Sequence, residues 1–146
     1  MNKGFTLIEL LAVILILGIL TTIAVIGYTS YMENAEKSYY EDAEISMKGA
    51  MESLITYCGT SILATPDYCV NVPSSASFVS VSLSTLTEND FLDPILDQKT
   101  GSTCEGEVTV TNNTTAGSTN YKLEYKVCLR CNNYTSSECE WKRKYI

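Results

Sequence analysis

The chain has 146 residues, a formal net charge of −7, 45% apolar residues and no histidine. This length suits one modest domain plus a membrane element. The negative charge argues against bulk nucleic-acid binding, because neutralising phosphates requires lysine and arginine. Without histidine the chain lacks the commonest general base and metal ligand, and the sequence contains no nucleophile–base pair. We therefore expect neither an enzyme nor a bound cofactor.

An uncharged apolar run extends from Leu10 to Met32, a stretch of 23 residues. About 20 helical residues cross a hydrocarbon core, so this run is long enough to span a membrane. One carboxylate, Glu9, lies at the start of the apolar segment, and Lys3 and Gly4 precede it closely. A charge at membrane depth costs several kcal/mol unless it finds a partner, so Glu9 is a candidate functional residue.

Two simpler interpretations of this N-terminus fit less well. A secretory signal peptide has an apolar core of about 7–15 residues followed by a small-residue cleavage site, whereas this run is longer and leads into a helical pattern. A generic membrane anchor would explain the length of the run but would give Glu9 no role.

The segment Lys3-Gly4-Phe5-Thr6-Leu7-Ile8-Glu9 and the apolar run behind it resemble the N-terminus of type IV pilin and type IV-like pseudopilin precursors. The resemblance covers roughly residues 3–57. It implies that a prepilin peptidase cleaves after Gly4 and methylates the new N-terminal residue, Phe5. It also implies that Glu9 is the carboxylate used in filament assembly, and we add Thr6 as a second polar contact. The chain departs from the family at Ile26-Gly27, where many members carry a helix-kinking proline.

Four segments and an α+β fold follow from this resemblance and from the residue pattern. We expect a leader peptide at 1–4, a transmembrane and filament-core helix at 5–28, an amphipathic continuation at 29–57 and an extracellular globular β domain at 58–146. The second half of the long helix should pack on a small antiparallel sheet. Its apolar residues recur every three or four positions, at Tyr28, Tyr31, Met32, Ala35, Tyr39, Ala43, Met47, Ala50, Met51, Leu54 and Tyr57.

Alternating apolar and polar residues predict the strands of the β domain. The clearest are Glu105 to Asn112 and Tyr121 to Leu129, where one face of each strand is apolar. Phe78 to Leu83 alternates in part and is either a strand or an extended lead. Ser84 to Glu88 then predicts a short helical turn with Ser84 as its cap.

Six cysteines follow the membrane segment, and their even number predicts three structural disulfides made in an oxidising compartment. Cys58 and Cys69 flank a short loop and should pair. If no bulge interrupts the strands, side-chain alternation favours Cys104–Cys131 with Cys128–Cys139. A bulge at Gly106 would reverse the alternation and favour Cys104–Cys128 with Cys131–Cys139.

Two weaker patterns lie outside the cysteine framework. Asp90, Asp93 and Asp97 are oxygen ligands of the kind that calcium prefers, although their spacing matches no EF-hand loop, and Asx turns beside a proline explain the same residues. The basic, aromatic tail from Trp141 to Ile146 is suited either to packing on the sheet or to contacting DNA or an acidic neighbour.

The resemblance therefore implies a structural subunit of a type IV pilus or related filament. The alternative is a minor pilin, or a pseudopilin of a DNA-uptake or secretion system, that acts in binding or initiation. The implied partners are other copies of the chain in a helical homopolymer, prepilin peptidase, and a membrane platform with its assembly ATPase. The implied location is a single-pass membrane protein before assembly and a cell-surface filament afterwards.

Processing gives the first prediction. We expect mass spectrometry of the mature protein to find an N-terminal methylated Phe5. Gly4→Leu should leave an uncut, membrane-held precursor, because the peptidase must approach the backbone closely at a residue without a side chain. A mature chain that retains Met1 or begins after Ser30 would contradict this prediction.

Overall fold

The computed structural model describes residues 4–60, 66–71, 73, 77–114 and 122–139. The elements in chain order are α1 (Leu7–Thr60), β1 (Phe78–Ser82), α2 (Leu83–Glu88), β2 (Glu105–Asn112) and β3 (Leu123–Arg130). The three strands form one antiparallel sheet in the order β1-β2-β3. The predicted α+β class is confirmed, with its long N-terminal helix, small antiparallel sheet and disulfides in the C-terminal region.

The chain divides into two compact units, residues 1–39 and residues 40–146. The described part of the first unit is mostly helix, and its large apolar side chains between residues 5 and 26 range from 48% exposed at Val13 to 82% exposed at Phe5. The helix runs through Gly18 and Gly27 without interruption. Two hydroxyls within the apolar run, those of Thr21 and Thr22, donate hydrogen bonds of 2.7–2.9 Å to carbonyls of the preceding turn. These polar groups are therefore satisfied inside the helix itself.

In the second unit, one face of α1 forms a wall of the core. Its buried residues follow the three- and four-residue spacing of a helix face: Tyr40, Ala43, Met47, Ala50, Met51, Leu54 and Cys58. The sequence pattern placed Tyr39 and Tyr57 on this face, but Tyr40 is buried in place of Tyr39, and Tyr57 is 48% exposed. The helix also ends at Thr60 rather than at the predicted residue 57.

The sheet supplies the opposite wall of this core. Its fully or nearly buried side chains are Val81, Val108, Val110, Val127 and Leu129. The β2–β3 register pairs Glu105 with Arg130 and continues without a bulge to the pair of Asn112 with Leu123. Because the register is unbroken, the side-chain alternation of β2 continues through Gly106 to the start of the strand.

Helix α2 follows β1 directly and buries Leu83 and Leu86. Its N-cap is Ser82, whose hydroxyl accepts a 3.2 Å hydrogen bond from the Thr85 backbone N–H. The sequence pattern favoured Ser84 as the cap, and this was wrong by two residues. Serine is a favoured cap at either position, so residue type alone does not separate them. Burial of Leu83 against the core places the helix start earlier.

A short C-terminal segment pairs with part of the outer edge of β3, from Val127 to Leu129. The Ser136 backbone N–H donates to the Leu129 carbonyl at 2.9 Å, and the Leu129 N–H donates to the Ser136 hydroxyl at 3.0 Å. Further along the strand, the Val127 N–H donates to the Glu138 carboxylate at 2.8 Å. The outward-facing amides of Leu129 and Val127 therefore have partners although β3 is an edge strand.

Two glycines with different surroundings give the second prediction. A Cβ at Gly106 would lie 2.5 Å from the Cys128 carbonyl oxygen and 3.1 Å from Met47 Cε, whereas a Cβ at Gly49 would meet nothing within 4 Å. We expect Gly106→Ala to lower the free energy of unfolding by about 1–3 kcal/mol through overpacking. We expect Gly49→Ala, the same chemical change on an exposed helix face, to raise it by about 0.5–1 kcal/mol.

Denaturant unfolding of the full chain in detergent, with disulfides intact, measures both changes. Equal effects of the two substitutions would contradict the close approach of β2 to β3 and α1 at Gly106.

Candidate assembly site at the N-terminus

Thr6 and Glu9 form a hydrogen-bonded pair at the start of α1. The Thr6 carbonyl accepts the backbone N–H groups of Glu9 and Leu10 at 3.1 and 3.3 Å, so Thr6 is the residue that opens the helix. Glu9 reaches back to it: Oε2 accepts the Thr6 backbone N–H at 2.9 Å and the Thr6 hydroxyl at 3.0 Å. One carboxylate oxygen thus satisfies a backbone donor that the helix itself leaves without a partner.

This arrangement resembles a capping box, in which a residue three positions into a helix accepts the N–H of the N-cap residue. It differs in one bond, because the Thr6 hydroxyl donates to Glu9 instead of accepting a backbone N–H. The sequence carries the signal as Thr6-Leu7-Ile8-Glu9, the Thr-x-x-Glu pattern of a capping box. Our sequence interpretation named Thr6 only as a polar contact and missed its role in starting the helix.

The other residues of the site lie immediately before the helix and are open to the surroundings. Gly4 and Phe5 precede α1, and both are exposed. A Cβ at Gly4 would meet nothing within 4 Å. Lys3 lies outside the described residues. Gly4, Phe5, Thr6 and Glu9 therefore form one short, exposed segment at the end of an apolar helix.

The apolar part of α1 meets the length and composition requirement for crossing a membrane. Glu9 lies at its N-terminal end, in the first turn of the helix. This helix fits single-pass membrane anchoring. Within the described residues, the Glu9 carboxylate uses Oε2 for both bonds to Thr6, and Oε1 accepts no hydrogen bond. One oxygen is held in place and the other remains open to a further donor.

The cysteines lie together in the second unit, away from this site in the sequence. The structure joins Cys58 to Cys69, Cys104 to Cys131 and Cys128 to Cys139, and no cysteine is free. These are the pairs that an uninterrupted β2–β3 register favours, since Cys104 and Cys131 lie directly beyond Glu105 and Arg130, the pair that ends the ladder. The pairing that a bulge at Gly106 would have favoured is absent from this structure.

The three aspartates considered for calcium do not form a metal site. Among the described residues, no group of three or more cysteine, aspartate or glutamate side chains is placed to hold a metal ion. Asp90 and Asp93 are exposed, whereas Asp97 is buried. The tail from Trp141 to Ile146, considered for packing on the sheet or for contact with DNA, lies outside the described residues.

Asp97 instead joins two loops of the second unit. Oδ1 accepts the backbone N–H groups of Lys99 and Thr100 at 3.0 and 2.9 Å, the Thr100 hydroxyl at 3.1 Å and the Asn133 side-chain amide at 3.0 Å. Oδ2 accepts the Asn133 backbone N–H at 2.8 Å. Burial raises the pKa of Asp97, but the hydrogen bonds from Asn133, Thr100 and Lys99 outweigh it and hold that pKa far below its usual range.

Tyr134, the residue after Asn133, connects this loop to α1. Its ring stacks on Tyr40 with centroids 4.3 Å apart, and its hydroxyl donates a 2.6 Å hydrogen bond to Glu44. Burial and this hydrogen bond raise the pKa of Tyr134 well above its ordinary value. The Tyr40 hydroxyl in turn accepts the Gln98 backbone N–H at 3.0 Å. The sequence offered no periodic signal for these contacts, because they join loop residues to a helix across long separations.

One comparison with known proteins bears on this N-terminus. Residues 1–25 match the family model described as the prokaryotic N-terminal methylation motif. The predicted resemblance of this N-terminus to type IV pilins and pseudopilins is thereby confirmed. No solved structure matches the chain.

The pKa of Asp97 gives the third prediction. A carboxyl whose pKa is lowered by folding contributes stability that is fully present above its unfolded-state pKa of about 3.9, and this stability is lost as the pH falls towards the folded-state pKa. We expect acidification below about pH 4 to reduce the free energy of unfolding less in Asp97→Asn than in the wild-type chain.

Denaturant unfolding at a series of pH values, in detergent and with disulfides intact, measures this difference. Asp93→Asn is the matched control, because it removes an exposed carboxylate from the same loop region and should keep the wild-type pH profile. Identical profiles for Asp97→Asn and Asp93→Asn would show that Asp97 does not carry the acid sensitivity.

Proposed function

We propose that this chain is a structural subunit of a type IV pilus or a related filament. In this proposal the chain enters the membrane through the apolar part of α1, loses residues 1–4 to a prepilin peptidase and is methylated at Phe5. It then polymerises with other copies of itself. A membrane platform and an assembly ATPase supply the machinery, and the finished filament lies at the cell surface. The chain has a structural role in this process and contributes no catalytic residue.

The observation that carries the proposal is the state of the Glu9 carboxylate. It lies at the edge of the uncharged run and is held through Oε2 by Thr6, while Oε1 accepts no hydrogen bond from the described residues. A carboxylate at membrane depth is costly unless it is paired, so a plain anchor would be better without it. Its presence within a methylation motif at residues 1–25 supports a role in pairing with another group.

Cleavage would create a suitable partner charge. Cutting after Gly4 frees a cationic amine at Phe5, and methylation preserves its charge. The amine is four residues from Glu9, so either its own Glu9 or that of a neighbouring copy could neutralise it. Apolar helix packing carries little information about register, whereas a charge pair in an apolar surrounding is strong and position-specific. The pair would favour adding each new subunit at one height.

Thr6 has a defined part in this mechanism. By holding Oε2 with two hydrogen bonds, it fixes the direction of the carboxylate and leaves Oε1 to face an incoming amine. Its backbone N–H remains after cleavage, since Thr6 then becomes the second residue of the mature chain. Thr6 is therefore a positioning residue that acts through Glu9.

The segment boundaries are part of the proposal. Residues 5–28 would be in the membrane before assembly and in the filament core afterwards, residues 29–57 would continue the helix, and residues 58–146 would form the extracellular domain. The hydroxyl groups of Thr21 and Thr22, which are already bonded within the helix, support the placement of the first of these segments in an apolar environment.

Glu9 gives the fourth prediction. We expect Glu9→Ala to be inserted, cleaved and stable in the membrane, yet to make at least about tenfold fewer filaments, because losing ~1.4 kcal/mol per subunit contact lowers each addition constant tenfold. Glu9→Asp should be intermediate, since it keeps the charge and loses reach. Electron microscopy and immunoblotting of sheared cell-surface material measure filament number.

Glu33→Ala is the matched control for this experiment. It removes a carboxylate from the same helix beyond the uncharged run, and filament number should remain at the wild-type level. Wild-type numbers of filaments from Glu9→Ala would show that apolar packing alone drives assembly. If the chain is scarce in sheared filaments while its deletion abolishes DNA uptake or secretion, the role of minor pilin or pseudopilin replaces that of the main subunit.

A further inference from the structure

A cavity of about 550 Å³ lies in the second unit between α2, the loop before β2 and the adjoining ends of β2 and β3. Its volume falls in the range of pockets that hold small molecules. The residues that matter to its chemistry are Glu105, Glu107, Arg130, Thr103, Leu83 and Ile95. The filament function proposed above makes no use of this cavity.

Two opposite charges stand side by side at the cavity. Glu105 and Arg130 are directly paired positions on β2 and β3, so their side chains lie on the same face of the sheet with Cα atoms about 5 Å apart. Within the described part of the chain, neither the Glu105 carboxylate nor the Arg130 guanidinium has an ion-pair or hydrogen-bond partner. Both groups are exposed and open to a ligand.

The remaining walls supply hydroxyls and a small apolar surface. Glu107 brings a second carboxylate, one oxygen of which accepts the Ser80 hydroxyl at 2.9 Å. Thr103 contributes a hydroxyl, and the buried residues Leu83 and Ile95 contribute aliphatic side chains. Such a mixture of polar groups and apolar wall is typical of small-molecule sites.

The cavity is also well supported. Cys104 and Cys128 belong to its lining, and the disulfides Cys104–Cys131 and Cys128–Cys139 fix the strand ends that carry Glu105 and Arg130. A site whose walls are fixed in advance loses less conformational freedom when a ligand binds, and this favours affinity.

The charges and the lining narrow the ligand class. A purely anionic ligand would meet two carboxylates, and a purely cationic ligand would meet Arg130. None of the described residues that line the cavity is aromatic, so it offers no ring on which a sugar or nucleobase could stack. A molecule that carries a carboxylate and an ammonium group close together matches the adjacent Arg130 and Glu105.

We propose that this cavity binds a small zwitterion of the α-amino acid class. Arg130 receives the carboxylate, for which its planar guanidinium offers paired donors, and Glu105 receives the ammonium group. The ligand's side chain lies against Leu83 and Ile95. The site does not depend on polymerisation, so it would exist in any filament role of the chain.

Leucine and two analogues test the proposal with the full chain in neutral detergent, observed through its backbone amide NMR signals. The analogue 4-methylpentanoate is leucine without the amino group, and 3-methylbutylamine is leucine without the carboxylate. We expect leucine to give saturable shifts at Thr103, Glu105, Gly106 and Arg130, and each analogue to bind at least about tenfold more weakly. Equal binding of leucine and either analogue, or shifts with leucine that do not saturate by about 20 mM, would overturn the proposal.

Variants separate this site from a general effect of surface charge. Arg130→Gln should weaken leucine binding at least about tenfold while leaving the remaining amide spectrum unchanged. Lys126→Gln is the matched control, since it removes a cation from the same strand and face but outside the cavity lining. Unchanged binding in Arg130→Gln, or equal losses in both variants, would rule out the proposed recognition of the carboxylate. Filament number in Arg130→Gln cells should stay at the wild-type level, so failure here is distinguishable from failure of the assembly function.

Discussion

The apolar surface of the first part of α1 determines which surroundings the chain requires. From Leu10 to Met32 no side chain is charged, and the large apolar residues between 5 and 26 are about half exposed or more. A contiguous apolar surface of this extent is rarely left in water, because its exposure costs roughly 25 cal/mol for every Å². Lipid or the same surface on other copies can cover it. Either cover leaves Glu9 in an apolar environment, and this makes its hydrogen bonds to Thr6 important.

The first unit exposes a large apolar surface, whereas the second unit buries only a small core. A three-stranded sheet and one helix face bury few large side chains, and small domains of this kind usually need additional links. Here three disulfides fix loops and strand ends. The Asp97 hydrogen bonds and the Tyr134–Tyr40 stack then attach the loops that carry little apolar surface. Covalent and polar links therefore hold together what hydrophobic burial alone would hold weakly.

Much of this fold was predictable from the sequence because its main elements carry strong periodic signals. The uncharged run and its amphipathic continuation predicted α1, and strict alternation predicted β2 and β3. Finer features depended on tertiary contacts that no local pattern encodes. Tyr40 is buried in place of Tyr39 because it stacks on Tyr134, which lies far away in the sequence. Neighbouring tyrosines on a helix point in directions about 100° apart, so a one-residue error moves the aromatic ring off the core face.

The candidate site was also predictable from the sequence only in part. The spacing of Gly4, Phe5 and Glu9 predicted the candidate site, and residues 1–25 match the methylation motif. The bond between Thr6 and Glu9 was also encoded locally, as Thr-x-x-Glu, but the same carboxylate lies at the start of a membrane-length apolar run and therefore fits both capping and charge pairing. Asp97 was misleading for a physical reason. An aspartate that accepts five hydrogen bonds and an aspartate that binds calcium both occur in turns rich in oxygen-bearing side chains. The sequence therefore looks alike in the two cases.

The segment around Ser136 and Glu138 affects how β3 could contact another copy of the chain. An exposed edge strand can template the strand of a neighbour, and the risk grows when identical chains are held at high local density. On β3 the outward amides of Val127 and Leu129 are already occupied by Glu138 and Ser136. From Val127 to Leu129 this edge is therefore already paired within the chain, so another copy could not add a strand there without first displacing Ser136 and Glu138.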